Sequence, residues 1–121
     1  MNSENLENDN MKKQPTKILF ILQTLRTGGS ERIVKDLCEN INREEFEPFV
    51  VSLLDGEMRE EFIKDGIPTY CANKKGKDAF EIMRKIDKYV KSNKIDLINA
   101  HHLSPFIHAF LSAKKNRSKL L

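Results

Sequence analysis

The sequence predicts an α/β fold in which a parallel sheet carries helices on both faces. Three observations predict it. Short apolar runs alternate along the chain with amphipathic segments of helical period. The first run, Lys17-Ile-Leu-Phe-Ile-Leu-Gln, is continuous rather than alternating, as suits a strand buried on both sides of a parallel sheet. Glycines, at Gly28-Gly29, Gly56 and Gly66, fall at the junctions between these segments.

Each element follows in order. Residues 1–16 are polar, Asn-rich and without periodicity, and read as a disordered tail ahead of a domain at 17–121. After the first strand comes a loop, Thr24-Leu-Arg-Thr-Gly-Gly, and a helix opening at about Ser30. Its apolar residues Ile33, Val34, Leu37, Cys38 and Ile41 fall on one face at a period of 3.6 and are expected to be buried. Glu31 with Lys35, and Arg32 with Asp36, are spaced for surface ion pairs. Phe49-Val-Val-Ser-Leu-Leu is a second strand, ended by Asp55-Gly56. A short helix then carries Met58, Phe62 and Ile63 inward and stops at Gly66. Ile67-Pro-Thr-Tyr-Cys-Ala is a third strand, placed toward an edge by Pro68. A basic loop, Asn73 to Lys77, leads into a helix from about Asp78 to Ser92 that buries Ala79, Ile82, Met83, Ile86 and Val90. Ile95-Asp-Leu-Ile-Asn-Ala is a fourth strand. Ser104 and Pro105 open a further helix carrying Phe106, Ile107 and Phe110, and Lys119-Leu-Leu begins a fifth strand.

The composition narrows the function classes. A chain of 121 residues is one domain, and 39% apolar with 32% charged residues is an ordinary globular composition. No apolar run approaches the roughly 18 residues that span a bilayer. The start, MNSENLENDN, lacks the basic and apolar regions of an export signal, so a cytoplasmic location is expected. Cys38 and Cys71 match no zinc or redox spacing and read as two reduced, packed thiols. The net charge of +3 is weakly informative, but Lys74 to Lys94 holds eight Lys or Arg against three acids. That segment is either a solvated helix face or a peripheral contact with anionic lipid at the inner face of the membrane. The aromatic residues do not interleave with the basic ones in a nucleic-acid motif, so no nucleic-acid partner is expected.

In such a sheet, ligands bind beyond the carboxyl ends of the strands. Two polar clusters fall there: Thr27-Gly-Gly-Ser30 after strand one, and Asn99-Ala-His-His after strand four. In the usual strand order these strands are neighbours, and the clusters meet at one crevice. Glycines let backbone N–H groups approach an anion, and the adjoining helix N-terminus favours negative charge. A diphosphate suits Gly28-Gly29 on that ground; a simple tight turn from strand to helix suits them equally. No phosphate-loop motif and no GxGxxG fingerprint is present, and Asp55 alone at the end of strand two is a weak ribose signal. His101 and His102 are adjacent and point opposite ways on an extended segment, and His108 follows on a helix. No acidic partner accompanies them in a metal-binding pattern, so a hydrogen-bonding role is favoured over a metal site.

Gly28-Gly-Ser-Glu-Arg32 resembles the Gly-Gly-(Ala/Ser)-Glu-Arg signature of family 4 glycosyltransferases, in the same place between strand one and helix one. Gly66-Ile-Pro68 resembles that family's "GIP" segment, and Lys94-Ile-Asp-Leu-Ile-Asn-Ala-His101 its "kPDivHaH" segment. The three occur in the family's order, and the resemblance covers about residues 17 to 121. It implies a Rossmann-like domain, the acceptor-side N-terminal half of a GT-B fold. It implies transfer of a sugar from a nucleotide-sugar donor to a hydroxyl acceptor on a glycan or lipid-linked substrate, as in polysaccharide biosynthesis. By the same resemblance Gly28, Gly29 and Ser30 form the donor-diphosphate loop, His101 and His102 line the acceptor cleft, and Glu31 and Arg32 support the motif. Neither a metal nor another cofactor is implied. Asn99 stands where the family often has a histidine, and the sequence ends at Leu121, before the family's later segments and its donor-binding domain. The expectation is therefore an incomplete half that is inactive alone and is completed by a C-terminal donor domain or by a partner chain supplying one. The alternative is a non-catalytic module, either a truncation relic or the acceptor-side subunit of a two-chain transferase.

Overall fold

The computed structural model describes residues 14–73 and 78–100, together with the backbone of a last strand at Lys119–Leu120. The chain runs β1 (Thr16–Leu22), α1 (Gly29–Asn40), β2 (Phe46–Ser52), α2 (Arg59–Lys64), β3 (Thr69–Cys71), α3 (Ala79–Ser92), β4 (Leu97–Ala100) and β5 (Lys119–Leu120). All strand pairs are parallel, in the order β3-β2-β1-β4-β5. The expectations for most of the N-terminal tail, the basic loop at 74–77, and the segment holding His101, His102, His108 and the helix after Ser104 lie outside the described residues.

The two faces of β1 account for its unbroken apolarity. Ile18, Phe20 and Leu22 pack with Val34, Cys38, Met58 and Phe62 of the α1–α2 layer. Leu19 and Ile21, which alternate with them, pack with Ile82 and Ile86 of α3. A strand sandwiched in this way has no solvent side, so no polar alternation survives in its sequence. β2 repeats the pattern, with Val50 on the first face and Phe49 and Val51 on the second.

β2 starts three residues earlier than expected and includes Pro48, which pairs in register with Ile18. Val50, two residues on, donates its N–H to Pro68 on the β3 side. Pro48 turns its nitrogen the same way, and the β3 pairing begins only at Val50. The donor that proline lacks is thus missing where no ladder partner stands. β3 is an edge strand, as Pro68 implied.

Helix ends follow local rules. Gly66 adopts φ +76°, its N–H donates to Ile63, and the Ile67 N–H donates to Phe62. That is the Schellman arrangement, and Ile67 and Phe62 close it with a buried apolar contact. α3 begins with Asp78, whose carboxylate accepts the Glu81 N–H at 2.8 Å. Its buried residues are Ile82, Met83 and Ile86, with Val90 partly buried against the same core.

α1 departs from expectation. Val34 and Cys38 meet the sheet, but Ile33 and Leu37 are 58% and 47% exposed. Lys35 is buried instead, its side chain only 6% exposed. The cause is the position of α2. Lys35 Nζ lies 2.8 Å from Asp65 and 3.1 Å from Glu39, and Arg32 lies 3.5 Å from Glu61. These contacts fix which flank of α1 faces α2, and helical spacing turns Ile33 and Leu37 to the opposite flank. In place of the expected pairs Glu31–Lys35 and Arg32–Asp36, Lys35 pairs with Glu39 on its own helix and with Asp65 past the end of α2, and Arg32 pairs with Glu61 on α2. Ile63 of α2, expected inside, is also exposed. Burial pushes the Cys38 thiol up to about 12, so it is an inert core group, and Cys71 is a half-buried free thiol.

Candidate functional site

The site is built at the carboxyl end of β1. Beyond Leu22 the chain passes through Gln23 to Gly28 and enters α1 at Gly29. Leu25 anchors this loop, fully buried among Val34, Met58 and Phe62. Thr24 accepts the Arg26 N–H on its hydroxyl at 2.7 Å, closing a local turn.

Most of the loop's remaining support comes from the next loop, between β2 and α2. Leu53 and Leu54 donate their N–H groups to the carbonyls of Leu22 and Gln23, each at 3.0 Å. The Met58 N–H donates to the Leu25 carbonyl at 2.8 Å. The Thr27 N–H donates to the Glu57 carboxylate, Oε1, at 2.8 Å. Gly56 lies directly against the peptide joining Leu25 and Arg26: a Cβ there would come 2.3 Å from the Leu25 carbonyl carbon. Asp55, considered above as a ribose ligand, accepts the Gly56 N–H and pairs with Arg59 at 3.2 Å, so its carboxylate is occupied in shaping this turn.

Gly28 and Gly29 stand apart from this packing. Gly28 is the N-cap of α1 and has an extended backbone that any residue adopts. A Cβ on it would crowd only the end of the flexible Glu31 side chain, and would touch the Arg26 carbonyl oxygen at 3.9 Å, an ordinary contact. A Cβ on Gly29 would have no atom of the described residues within 4 Å, its chain neighbours and helix backbone aside. The fold therefore requires glycine at neither position. Helix geometry leaves the N–H groups of Gly29, Ser30 and Glu31 without intrahelical acceptors, and no side chain caps them from Gly28. What the two glycines provide is bare, donor-bearing backbone at the positive end of a twelve-residue helix. Glu31, in the first turn, sets a carboxylate beside it that neutralises part of that charge.

β4 pairs with β1 and ends at Ala100 opposite Ile21, so the carboxyl ends of the two strands are adjacent. Asn99 lies beside Phe20 on β1. His101 and His102 lie outside the described residues. Among the described residues, no group of three or more His, Cys, Asp or Glu could hold a metal ion. A broad cleft between Gln14–Thr16 and Asn42–Phe46 opens at the amino ends of β1 and β2, the wrong end of the sheet for this site.

Residues 27–120 match the family described as Glycosyltransferase Family 4. The chain belongs to this family. The match opens at Thr27, at the edge of the glycine pair, and runs through the segment that forms β4. The fold is similar to the crystal structure of a glycosyltransferase from Rickettsia africae ESF-5, with a TM-score of 0.70 and 21% identity. That likeness covers 88% of this chain and 29% of the other, so this chain spans under a third of that protein's length. No curated protein matches the chain.

Several residues of the family-like segments have structural duties here. Arg32 links α1 to Glu61 on α2. Gly66 supplies the left-handed residue that ends α2. Asp96 accepts the Lys17 N–H at 2.9 Å on its side chain and donates its own N–H back to the Lys17 carbonyl, which fastens the start of β4 to β1. Nothing in the sequence marks Glu57 and Gly56 as supports of the loop after β1. The contact between Glu57 and Thr27 spans thirty residues and uses a backbone donor, which leaves no periodic or motif signal.

Proposed function

We propose that this chain is the acceptor-side half of a glycosyltransferase that moves a sugar from a nucleotide-sugar donor to a hydroxyl acceptor, on a glycan or lipid-linked substrate. The observation that carries it is the bare backbone at Gly28 and Gly29, glycines for which the fold has no internal need, at the N-terminus of α1. A departing diphosphate develops negative charge in the transition state, and preorganised N–H donors stabilise such charge. Gly28, Gly29 and Ser30 form the donor-diphosphate loop; His101 and His102 line the acceptor side. Glu31 and Arg32 hold the helix start. One rim of a cleft gives only part of the donor's contacts, so the chain alone is inactive and needs a donor domain, in the same or another chain. The reading uses no metal and no other cofactor. Purified chain incubated with nucleotide sugars and acceptor lipids or glycans releases no nucleoside diphosphate; release above the uncatalysed rate overturns this.

The exposed Ile33–Leu37 flank of α1 favours a second version, the subunit of a two-chain transferase, over a relic with no partner. In that case a donor-domain chain co-purifies in equal amount and restores transfer, and Ile33→Asp breaks the pair. Failure of any donor-domain chain to co-purify removes this version.

No helix among the described residues is long and apolar enough to cross a membrane. We place the protein in the cytoplasm, with exposed Arg84, Lys88 and Lys91 of α3 meeting anionic headgroups at the inner membrane face. Flotation with anionic vesicles that falls with salt supports this contact, and no flotation at low salt rules it out.

A further inference from the structure

We propose that Glu57, together with Gly56, is a positioning residue for the loop between β1 and α1, fixing the peptide that leads into Gly28. That this loop serves a diphosphate rests on the function proposed above; the brace itself does not. Glu57 Oε1 accepts the Thr27 N–H, the last amide before the glycine pair. Gly56 admits the Leu25–Arg26 peptide to a distance that no side chain allows. The Met58 N–H ties the same stretch through Leu25. Three consecutive residues of the β2–α2 loop thus grip the β1–α1 loop at Leu25, Arg26 and Thr27, and none of them reaches Gly28 or Gly29. The glycine pair is held from behind, with the Glu31 side chain over Gly28 and the side of Gly29 open among the described residues. Glu57 is exposed, and the Thr27 N–H, with the residue's own N–H and the Arg26 charge behind it, holds its carboxyl below the ordinary glutamate range. An exposed carboxylate has no packing duty, so its effect on the loop is separable from stability of the core.

The test is amide NMR on the full 121-residue chain, comparing wild type, Glu57→Gln and Glu57→Ala. Exchange of the Thr27 amide is expected to rise about fivefold in Glu57→Ala, the loss of roughly one net hydrogen bond. β1 amides keep their protection. Glu57→Gln retains an acceptor oxygen and restores most of the protection. In wild type the Thr27 amide shift titrates at a pH below the ordinary glutamate value, and in Glu57→Gln that titration disappears. Equal Thr27 exchange in all three proteins, or a wild-type Thr27 shift that ignores acid pH, overturns the proposal. Inorganic pyrophosphate titrated into wild type tests the donor reading separately. If Thr27 behaves as expected and the Gly29 and Ser30 amides do not move, the brace stands and the diphosphate reading falls.

Discussion

The loops after β1 and β2 lie side by side at the same end of the sheet, both contain glycine, and the glycines do different work. Gly56 is required from inside: the backbone of the neighbouring loop fills the space a Cβ needs. Gly28 and Gly29 have no such requirement. Their backbones are not left-handed, and the space beside Gly29 is empty among the described residues. A glycine can be present because the fold would clash without it, or because something outside the fold must come close. On the function proposed above, the first kind supports the site and the second kind receives the ligand. The β2–α2 loop is accordingly rich in internal hydrogen bonds, and the glycine pair is not.

The largest effect that can break this contrast is expected at Gly56. Gly56→Ala forces two backbones apart and should cost about 2–3 kcal/mol in chemical denaturation, as overpacking does. An unchanged midpoint means the close approach does not exist in solution. Gly66→Ala comes next. Its cost of about 1 kcal/mol arises from a left-handed backbone alone, since no atom crowds the site. The difference between the two variants separates contact from conformation.

A pH series sharpens the picture of the helices that the two loops enter. The Lys35 ammonium, paired with Asp65 at 2.8 Å, holds the Asp65 carboxyl below the ordinary aspartate range. The same contact, opposed by burial, raises the Lys35 value above that of a free lysine. The Asp65 contribution is full above an unfolded value of about 4 and is lost as pH falls through the lower folded value. The Lys35 contribution is full below about 10.4 and is lost as pH rises through the higher folded value. Denaturation midpoints measured from acid to alkaline pH should show both losses in wild type; in Lys35→Met the alkaline loss from this residue disappears and the acid loss shrinks, the remainder coming from Glu57 and from Arg43 beside Asp65. Identical pH profiles remove the bridge as a link between α1 and α2. The smallest effect on stability is expected at Gly29→Ala, within about 0.5 kcal/mol of wild type, because the added methyl meets nothing and alanine suits a helix.

Much of the fold was legible in the residues. The unbroken apolarity of Ile18 to Leu22 gave a doubly covered strand, and Pro68 marked the edge. Gly66 marked a helix end. The adjacency of β1 and β4 followed from the usual strand order. What failed was the rotation of α1. Five apolar residues, Ile33 to Ile41, cover an arc wider than the sheet contact, and only the position of α2 decides which of them are covered. Lys35 looked like a surface residue because its partner Asp65 is thirty residues away and just past the end of another helix. Glu57 was hidden for the same reason. Contacts between loops distant in sequence set the geometry of this site, and one-dimensional patterns record only neighbours on the same element.

The central claim, that the open backbone at Gly28 and Gly29 receives a diphosphate, is tested most directly by amide NMR of wild type and Gly29→Val during titration with inorganic pyrophosphate. NMR reads weak binding, which is what one rim of a cleft provides. The account predicts shifts concentrated at Gly28 to Glu31 in wild type, and their loss in Gly29→Val with the β1 and β2 amides of the core undisturbed. Shifts that fall elsewhere, or that persist in Gly29→Val, contradict it.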